Sequence, residues 1–539
     1  MTTPGRFVRA GALLALLALV LQAFVAPAAA GSMAADPAVE RAVERAVEDA
    51  TEPDFGAIDR YVEAERRAQR IPGMTLAVVQ GDRIVHLRGF GAADASGREV
   101  TPQTPFLIGS LAKSFTALAV MQLVEAGRLE LDAPVQRYLP WFRVADAEAS
   151  AAITLRHLLH QTSGLSGVVG NAWITNGDAD DGALERRVRA LRSAALARPV
   201  GAAYEYSNAN YAVLGLVVQT VSGTTYERYI RAQIFAPLGM RRSFASEAEA
   251  RPHGMARGHR YWFGVPRQAD LPRGRGTTPA GYLVASAEDM ARYLIAHLNG
   301  GRLDGAAVLS PAGIAALHRP AVEAGHPDAS YAMGWSVVRD GDTTVVGHTG
   351  EALDFRATMA LLPDRGLGYV LMMNADTGMG RGRMAAVTEG VHGLLLGREA
   401  APTPSDAAQR ALVFGALAAV VAVQLGGMAR SVRTLRRRAA GPGRRPRGRW
   451  AVAGAIGLPL VLNAAWAALV LVALPRGLGA SVGLLLLQLP DAGVVLVASG
   501  TLAAAWAAVR TGLVLVLARP TDSAARGTRQ AAGRAPLPA

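Results

Sequence analysis

Three uncharged apolar stretches close this chain: Ala411–Ala429, Trp450–Pro475 and Ala492–Val509. A segment that enters a bilayer must satisfy every backbone N–H and C=O internally, which leaves it no option but a helix. Each stretch is close to the roughly 20 residues that a helix needs to cross a ~30 Å hydrocarbon core. Between the first two lies "RSVRTLRRRAAGPGRRPRGR", with nine arginines from Arg430 to Arg449. A short arginine-rich loop between two spans stays in the cytoplasm. The sequence therefore predicts transmembrane helices at 411–429, 450–475 and 492–514, a basic cytoplasmic loop at 430–449 and a cytoplasmic tail at 519–539. Residues 480–490, "ASVGLLLLQLP", are too short to span and read as an interfacial segment. Arg510, near the end of the third span, can snorkel to the inner headgroups.

The other end of the chain fits the same topology. Arg6 and Arg9 precede "GALLALLALVLQAFV" and "APAAAGS", a basic start, an apolar stretch and a small-residue cleavage site. That pattern predicts a signal peptide at 1–30. An acidic, Ala-rich leader follows at 31–54, then a domain at 55–400 and a linker at 401–410. The domain is expected outside the cell, carried by a multi-pass anchor in the cell membrane. Residues 31–405 have a net charge of −2 and residues 406–539 one of +13. The excess of positive charge belongs to the tail, which argues against nucleic-acid binding by the domain. The chain has no cysteine, so disulfides, Cys–metal sites and a Cys nucleophile are excluded.

Within the domain, a helix through Ile58–Arg67 precedes two alternating runs, "GMTLAVVQ" and "RIVHLRGFG". Gly81-Asp82 between them is a hairpin signal. After Gly109 the alternation stops, and about 18 residues that are apolar nearly all round predict a buried helix. Ile153–Gly167 is expected to be a helix ending in a polar Gly-rich turn, residues 170–200 a loop with a helical insertion around Ala183–Ala197, and Tyr211–Val221 and Glu288–Leu298 further helices. "YAMGWSVV", "TTVVGHTG", "RATMALLP" and "GYVLMMN" then read as strands, closed by a helix around Arg383–Leu396. Strands from both ends of the chain around a helical middle describe an α+β domain. "NGDADDG" near 180 has the wrong acidic spacing for a calcium loop, and no metal or other cofactor is expected.

The chemistry-bearing position is marked by its rarity. Of 56 Lys+Arg, only Lys113 is a lysine. Arginine stays charged at any physiological pH, whereas a lysine can be deprotonated and serve as a base. Lys113 follows Ser110 by three, which on a helix puts both on one face. A serine at a helix N-terminus gains from backbone N–H groups and the positive dipole end. A lysine one turn on can take its proton if burial or nearby positive charge depresses its pKa.

Three ordered motifs widen this pair into a pattern: "SLAK" at 110–113, "YSN" at 206–208 and "HTG" at 348–350. Over about residues 55–398 the chain resembles the serine β-lactamase and penicillin-binding-protein-like superfamily, in the branch of class C β-lactamases, DD-peptidases and related esterases. The resemblance implies a β-lactamase/transpeptidase-like α+β fold, an antiparallel sheet flanked by helices plus a helical lobe. It implies Ser110 as the acylated nucleophile, Lys113 as its base and Tyr206 as the proton shuttle to the leaving group. Asn208, His348, Thr349 and Gly350 would bind substrate, and the backbone N–H groups of Ser110 and Glu351 would form an oxyanion hole.

Two departures bear on specificity. The third motif usually carries Lys as a fixed cation for a substrate carboxylate, and here it carries His348, which is mostly neutral at pH 7. Asp354 stands where the family often has Gly, and is expected to add negative charge near the mouth. Both lower the expectation of a true β-lactamase. The function expected is a membrane-anchored extracytoplasmic serine hydrolase acting on an ester, amide or D-amino-acid peptide. The alternatives are a β-lactamase and a sensor with slow deacylation. The partners implied are a small-molecule or peptide substrate and the lipid bilayer.

Overall fold

A computed structural model describes residues 53–172, 174, 176–326, 328–376, 381–400, 403, 407–441, 448–477 and 481–519. The predicted signal peptide, nearly all of the predicted leader, residues 401, 402 and 404–406 of the predicted 401–410 linker and the predicted tail beyond Arg519 lie outside the described residues, and the linker's last four residues are already helix.

The chain divides into two compact units. The larger begins with α1 (Phe55–Ala68), capped by Asp54, whose side chain accepts from Ala57 N. The hairpin β1 (Gly73–Gln80) and β2 (Arg83–Gly91) follows, and Gly81 takes the left-handed φ of +60° that its turn requires. A short 3₁₀ turn at Gly109–Leu111 leads into α2 (Ala112–Glu125). The helical lobe adds α3 (Gly167–Asn171), α4 (Ala183–Arg189), α5 (Asn208–Ser222) and α6 (Thr278–Gly281). α7 (Ala287–Leu298) begins at the Ser286 cap, which accepts from Asp289 N.

The chain then returns to the sheet through β3 (Val322–His326), β4 (Ala329–Tyr331), β5 (Ser336–Asp340), β6 (Thr343–Glu351), β7 (Arg356–Leu362) and β8 (Leu367–Met373), and closes with α8 (Arg381–Leu395). The eight strands run in the order β2-β1-β8-β7-β6-β5-β4-β3, every pair antiparallel. Two ends of the sequence therefore meet at the β1–β8 pair, the second and third of the eight strands. One face packs α2, α5 and α7 into the main core, and the other packs α1 and α8 through Ile58, Val62, Val387 and Val391. The expected α+β architecture is the one observed.

"YAMGWSVV" differs from expectation. It is not one strand but the end of β4, a turn and the start of β5. Gly334 at φ +79° makes the break. A Cβ there would lie 2.8 Å from Lys113 O, so the chain bends where it presses on the lysine's own helix. The edge strand β3 has no counterpart in the sequence reading.

The smaller unit holds α9 (Ala407–Ala439), α10 (Arg449–Gly477), the short α11 (Val482–Gln488) and α12 (Pro490–Ala518). α9, α10 and α12 are each long and apolar enough to cross a membrane. α9 continues ten residues past the predicted span, so the basic segment begins as helix, not as loop. Arg, Leu and Ala are strong helix formers, and no breaker occurs before Gly441-Pro442-Gly443. Gln424, Trp466 and Ser499 join the three long helices: Trp466 Nε1 donates to Ser499 Oγ at 2.9 Å, and Ser499 Oγ donates to Gln424 Oε1 at 2.8 Å. Buried polar groups between apolar helices act as such links. Arg510, expected to snorkel, instead donates to Ser431 Oγ and Ala455 O at 2.7 Å each.

Candidate active site

Two glycines decide how the site closes. Gly109, at φ +56°, has no room for a side chain: a Cβ would lie 2.7 Å from Glu351 N. Gly350 meets the same wall from the other side, where a Cβ would lie 2.1 Å from Ile108 O and 3.0 Å from Ser110 N. β6 therefore runs hard against the turn that begins α2. That contact brings the Ser110 and Glu351 backbones together.

Ser110 Oγ is held by two side chains. Lys113 Nζ lies 2.9 Å away, and Tyr206 OH donates to it at 2.9 Å. Lys113 is fully buried. Its other neighbours are Asn208 Oδ1 and Ala280 O, each at 2.7 Å. Asn208 Nδ2 donates in turn to Asn171 Oδ1 at 3.0 Å, which fixes the oxygen toward the lysine. Both oxygens only accept. A neutral amine has two N–H bonds for them and one lone pair left, and that lone pair faces Ser110 Oγ. The arrangement suits a base.

The electrostatics agree. Burial, and then the Arg187 charge, holds the Lys113 amine well below its usual range. Among the described residues no carboxylate pairs with it. Burial pushes the Tyr206 phenol up, so Tyr206 keeps its proton and acts as a donor.

His348 is buried on β6. Its Nδ1 lies 2.6 Å from Thr349 O and its Nε2 3.2 Å from Tyr331 OH. A carbonyl can only accept, so Nδ1 carries the hydrogen and Nε2 accepts from the phenol. Burial first, and the Lys113 charge second, pushes His348 down to about 3. It is a neutral hydrogen-bonding group. Thr349 is exposed, while Gly350 is buried against the turn.

Asp354 overturns its expectation. It does not face the mouth: its side chain is 2% exposed and pairs with Arg273 at 2.5 Å. Its carboxylate occupies the space left by Gly258, where a Cβ would lie 2.2 Å from Oδ2. The acidic run near 180 is also occupied. Asp178 and Asp180 pair with Arg186, and Asp181 with Arg275.

The structure thus joins Ser110, Lys113, Tyr206 and Asn208 in one hydrogen-bonded set and lays His348, Thr349, Gly350 and Glu351 along the adjoining strand. Ala280 O, Asn171, Tyr331 and Arg187 were missed. A backbone carbonyl has no sequence signature. Arg187, one of 55 arginines in an arginine-rich chain, gave no signal.

Comparison with known proteins locates the same region. A family model described as Beta-lactamase matches residues 58–392. Penicillin-binding protein 4 of Amycolatopsis lactamdurans is 34% identical over 326 residues, 58% of this chain and 83% of that protein. Protein flp of Staphylococcus aureus strain N315 is 28% identical over 328 residues, and this match takes in 59% of the present chain but only 63% of flp. The structure of the octameric penicillin-binding protein homologue from Pyrococcus abyssi superposes with a TM-score of 0.57 at 26% identity, covering 65% of this chain and 79% of that one.

Proposed function

The chain belongs to the beta-lactamase family, and on that premise we propose that it is a membrane-anchored extracytoplasmic serine hydrolase that turns over an ester, amide or D-amino-acid peptide through an acyl-enzyme. One observation carries the reading: Ser110 Oγ sits 2.9 Å from both Lys113 Nζ and Tyr206 OH, the one disposed to take a proton and the other to give one.

In this mechanism the Lys113 amine accepts the Ser110 proton as Oγ attacks the substrate carbonyl. The tetrahedral oxyanion forms against the backbone N–H groups of Ser110 and Glu351. Tyr206 donates its proton to the leaving group, is reprotonated from Lys113, and leaves Ser110 acylated. Water then attacks the acyl carbon by the reverse proton path and frees the acid. Asn208 holds the lysine and offers its amide to the substrate. His348 and Thr349 line the strand along which the substrate lies.

The test is covalent labelling of the full chain in detergent with a fluorophosphonate, followed by intact mass and peptide mapping, and by a panel of esters, D-peptides and cephalosporins. The adduct is expected on Ser110, and Ser110→Ala is expected to abolish both labelling and turnover. Lys113→Arg should lose roughly 10²–10⁴-fold, because guanidinium cannot supply general-base assistance. An adduct on another serine, with Ser110→Ala fully active, overturns the mechanism.

A further inference from the structure

Arg187, on α4, is a buried cation that the mechanism above does not use. It is 1% exposed. Among the described residues no carboxylate pairs with it, and its Nε has no hydrogen-bond partner. Buried arginines are ordinarily paired, because taking a charge out of water is costly without a counter-ion. This one is held by two uncharged oxygens instead. Nη2 donates to Gly170 O at 2.8 Å, and Nη1 donates to Thr277 Oγ1.

Those two contacts fall on the two segments that supply the lysine. Gly170 belongs to α3 and precedes Asn171, which orients Asn208 toward Lys113. A Cβ on Gly170 would lie 2.6 Å from Asn208 N, so α3 lies directly on the start of α5. Thr277 leads into α6, whose Ala280 O is the lysine's other acceptor. Gly276 is equally tight, since a Cβ there would lie 2.9 Å from Ala183 O. One guanidinium therefore bridges both halves of the lysine's acceptor shell from behind.

We propose that Arg187 is a positioning residue for Lys113: it staples α3 to the Arg275–Gly281 segment, and so holds the segments that carry the lysine's two acceptors, with a positive charge that no carboxylate among the described residues pairs with. The groups that face the pair bear this out. Around Lys113 stand Ser110, Asn208, His348 and the rings of Tyr206 and Tyr211, 4.8 and 5.7 Å from Nζ. Tyr282 is within electrostatic reach of Arg187, and the Glu351 carboxylate within reach of Tyr206. A cation in such surroundings opposes protonation of the amine.

The proposal rests on the acyl-enzyme reading, and the experiment separates the two. The full chain in detergent is assayed on a neutral nitrophenyl ester, and kcat/KM is followed from about pH 5 to 9. Removing the cation in Arg187→Gln lets Lys113 hold its proton longer. The acid limb should then move up by about one pH unit or more, the scale of one nearby charge. Arg187→Lys keeps the charge but cannot reach both oxygens, so its limb stays near the parent's while its plateau falls. A merely structural arginine lowers the plateau and leaves the limb in place in both variants. Arg187→Gln that melts like the parent and keeps the parental limb overturns the proposal.

If Arg187→Gln does not fold, Arg187→Lys and Thr277→Val decide. A limb displaced in Arg187→Lys, or a parental plateau in Thr277→Val, overturns it equally. Full activity in Ser110→Ala or Lys113→Arg sinks the acyl-enzyme reading itself. Activity that needs both residues, with a limb that Arg187 does not move, sinks only the role of Arg187.

Discussion

His348 Nε2 and Tyr331 OH, both on buried side chains, lie 3.2 Å apart, with the phenol donating to the imidazole. A histidine that already accepts a hydrogen bond through one nitrogen and donates the other's hydrogen to Thr349 O gains nothing from a second proton. Burial adds to this and pushes it down to about 3. The sequence alone places His348 near a pKa of roughly 6.5 and suggests a cation that appears as pH falls. The structure removes that switch from the working range. The ratio of cephalosporin to neutral-ester kcat/KM should therefore stay flat between about pH 8 and 5.5, since any shared base cancels. A ratio that climbs severalfold on acidification would return the carboxylate-reading role to His348.

Arg273 and Asp354 form an ion pair with side chains 7% and 2% exposed, and Glu247 Oε2 lies 3.0 Å from Arg273 Nε. Breaking a buried pair strands the remaining charge, typically at about 3–5 kcal/mol. Arg273→Met is expected to destabilise the larger unit by that order in urea unfolding of the full chain. Combining it with Asp354→Gly should recover much of the loss, because the double variant leaves no unpaired carboxylate in that pocket. Equal stability for Arg273→Met and the parent would show the pair to be incidental. The turn it holds runs from Glu351 to Phe355, with Leu353 at φ +68°, so activity should fall with stability in the single variant.

What could be read in the sequence follows from what periodicity and rarity record. The β1–β2 hairpin, the buried α2 and α5, and the strand runs of β6 to β8 each carry a repeat of two or an apolar length that survives any context. Ser110, Lys113 and Tyr206 stood out through motif order and the singular lysine. Positions set by the approach of distant backbones left no trace. Ala280 O reaches the lysine from 167 residues away in sequence, and nothing local encodes that. The misreading of Asp354 has the same origin: a carboxylate in a turn reads as exposed until Gly258 and Arg273, 96 and 81 residues away in sequence, are seen to enclose it. The run from Tyr331 to Val338 kept a strand's composition while Gly334 bent it against Lys113 O.

Asp289 offers a test of stability against pH. Its carboxylate is buried, which pushes it up to about 6 despite hydrogen bonds from Ser243 and the Arg242 backbone. A raised folded-state pKa means that the folded chain keeps a proton that the unfolded chain has already lost. The contribution is complete below the unfolded value of about 3.9 and fades as pH rises through about 6. Over that window the group's share of stability falls by roughly 3 kcal/mol. Asp289→Asn retains an acceptor for both donors and cannot titrate. The difference in unfolding free energy between parent and Asp289→Asn should shift in favour of the variant between about pH 4 and 7. A difference that is constant with pH would mean that Asp289 titrates alike in both states.

The membrane orientation can be read with a reporter the chain does not already contain. There is no cysteine in the sequence, so each single substitution gives one reactive thiol. α9 and α12 run in the same direction, since Gln424 meets Ser499 and Ser431 meets Arg510. α10 runs against them, since Ala455 meets Arg510 and Trp466 meets Ser499. One end of the bundle therefore gathers the arginine-rich end of α9, Arg449 at the start of α10, and Arg510. Arginine clusters beside spans are retained in the cytoplasm, so that end is expected inside, and the start of α9 and the domain that precedes it are expected outside. Asp82→Cys, exposed at the tip of the β1–β2 hairpin, should react with a membrane-impermeant maleimide on intact cells. Arg437→Cys, exposed on α9, should react only after the membrane is opened. Labelling of Arg437→Cys in sealed cells, or protection of Asp82→Cys there, reverses the topology and with it the extracytoplasmic site.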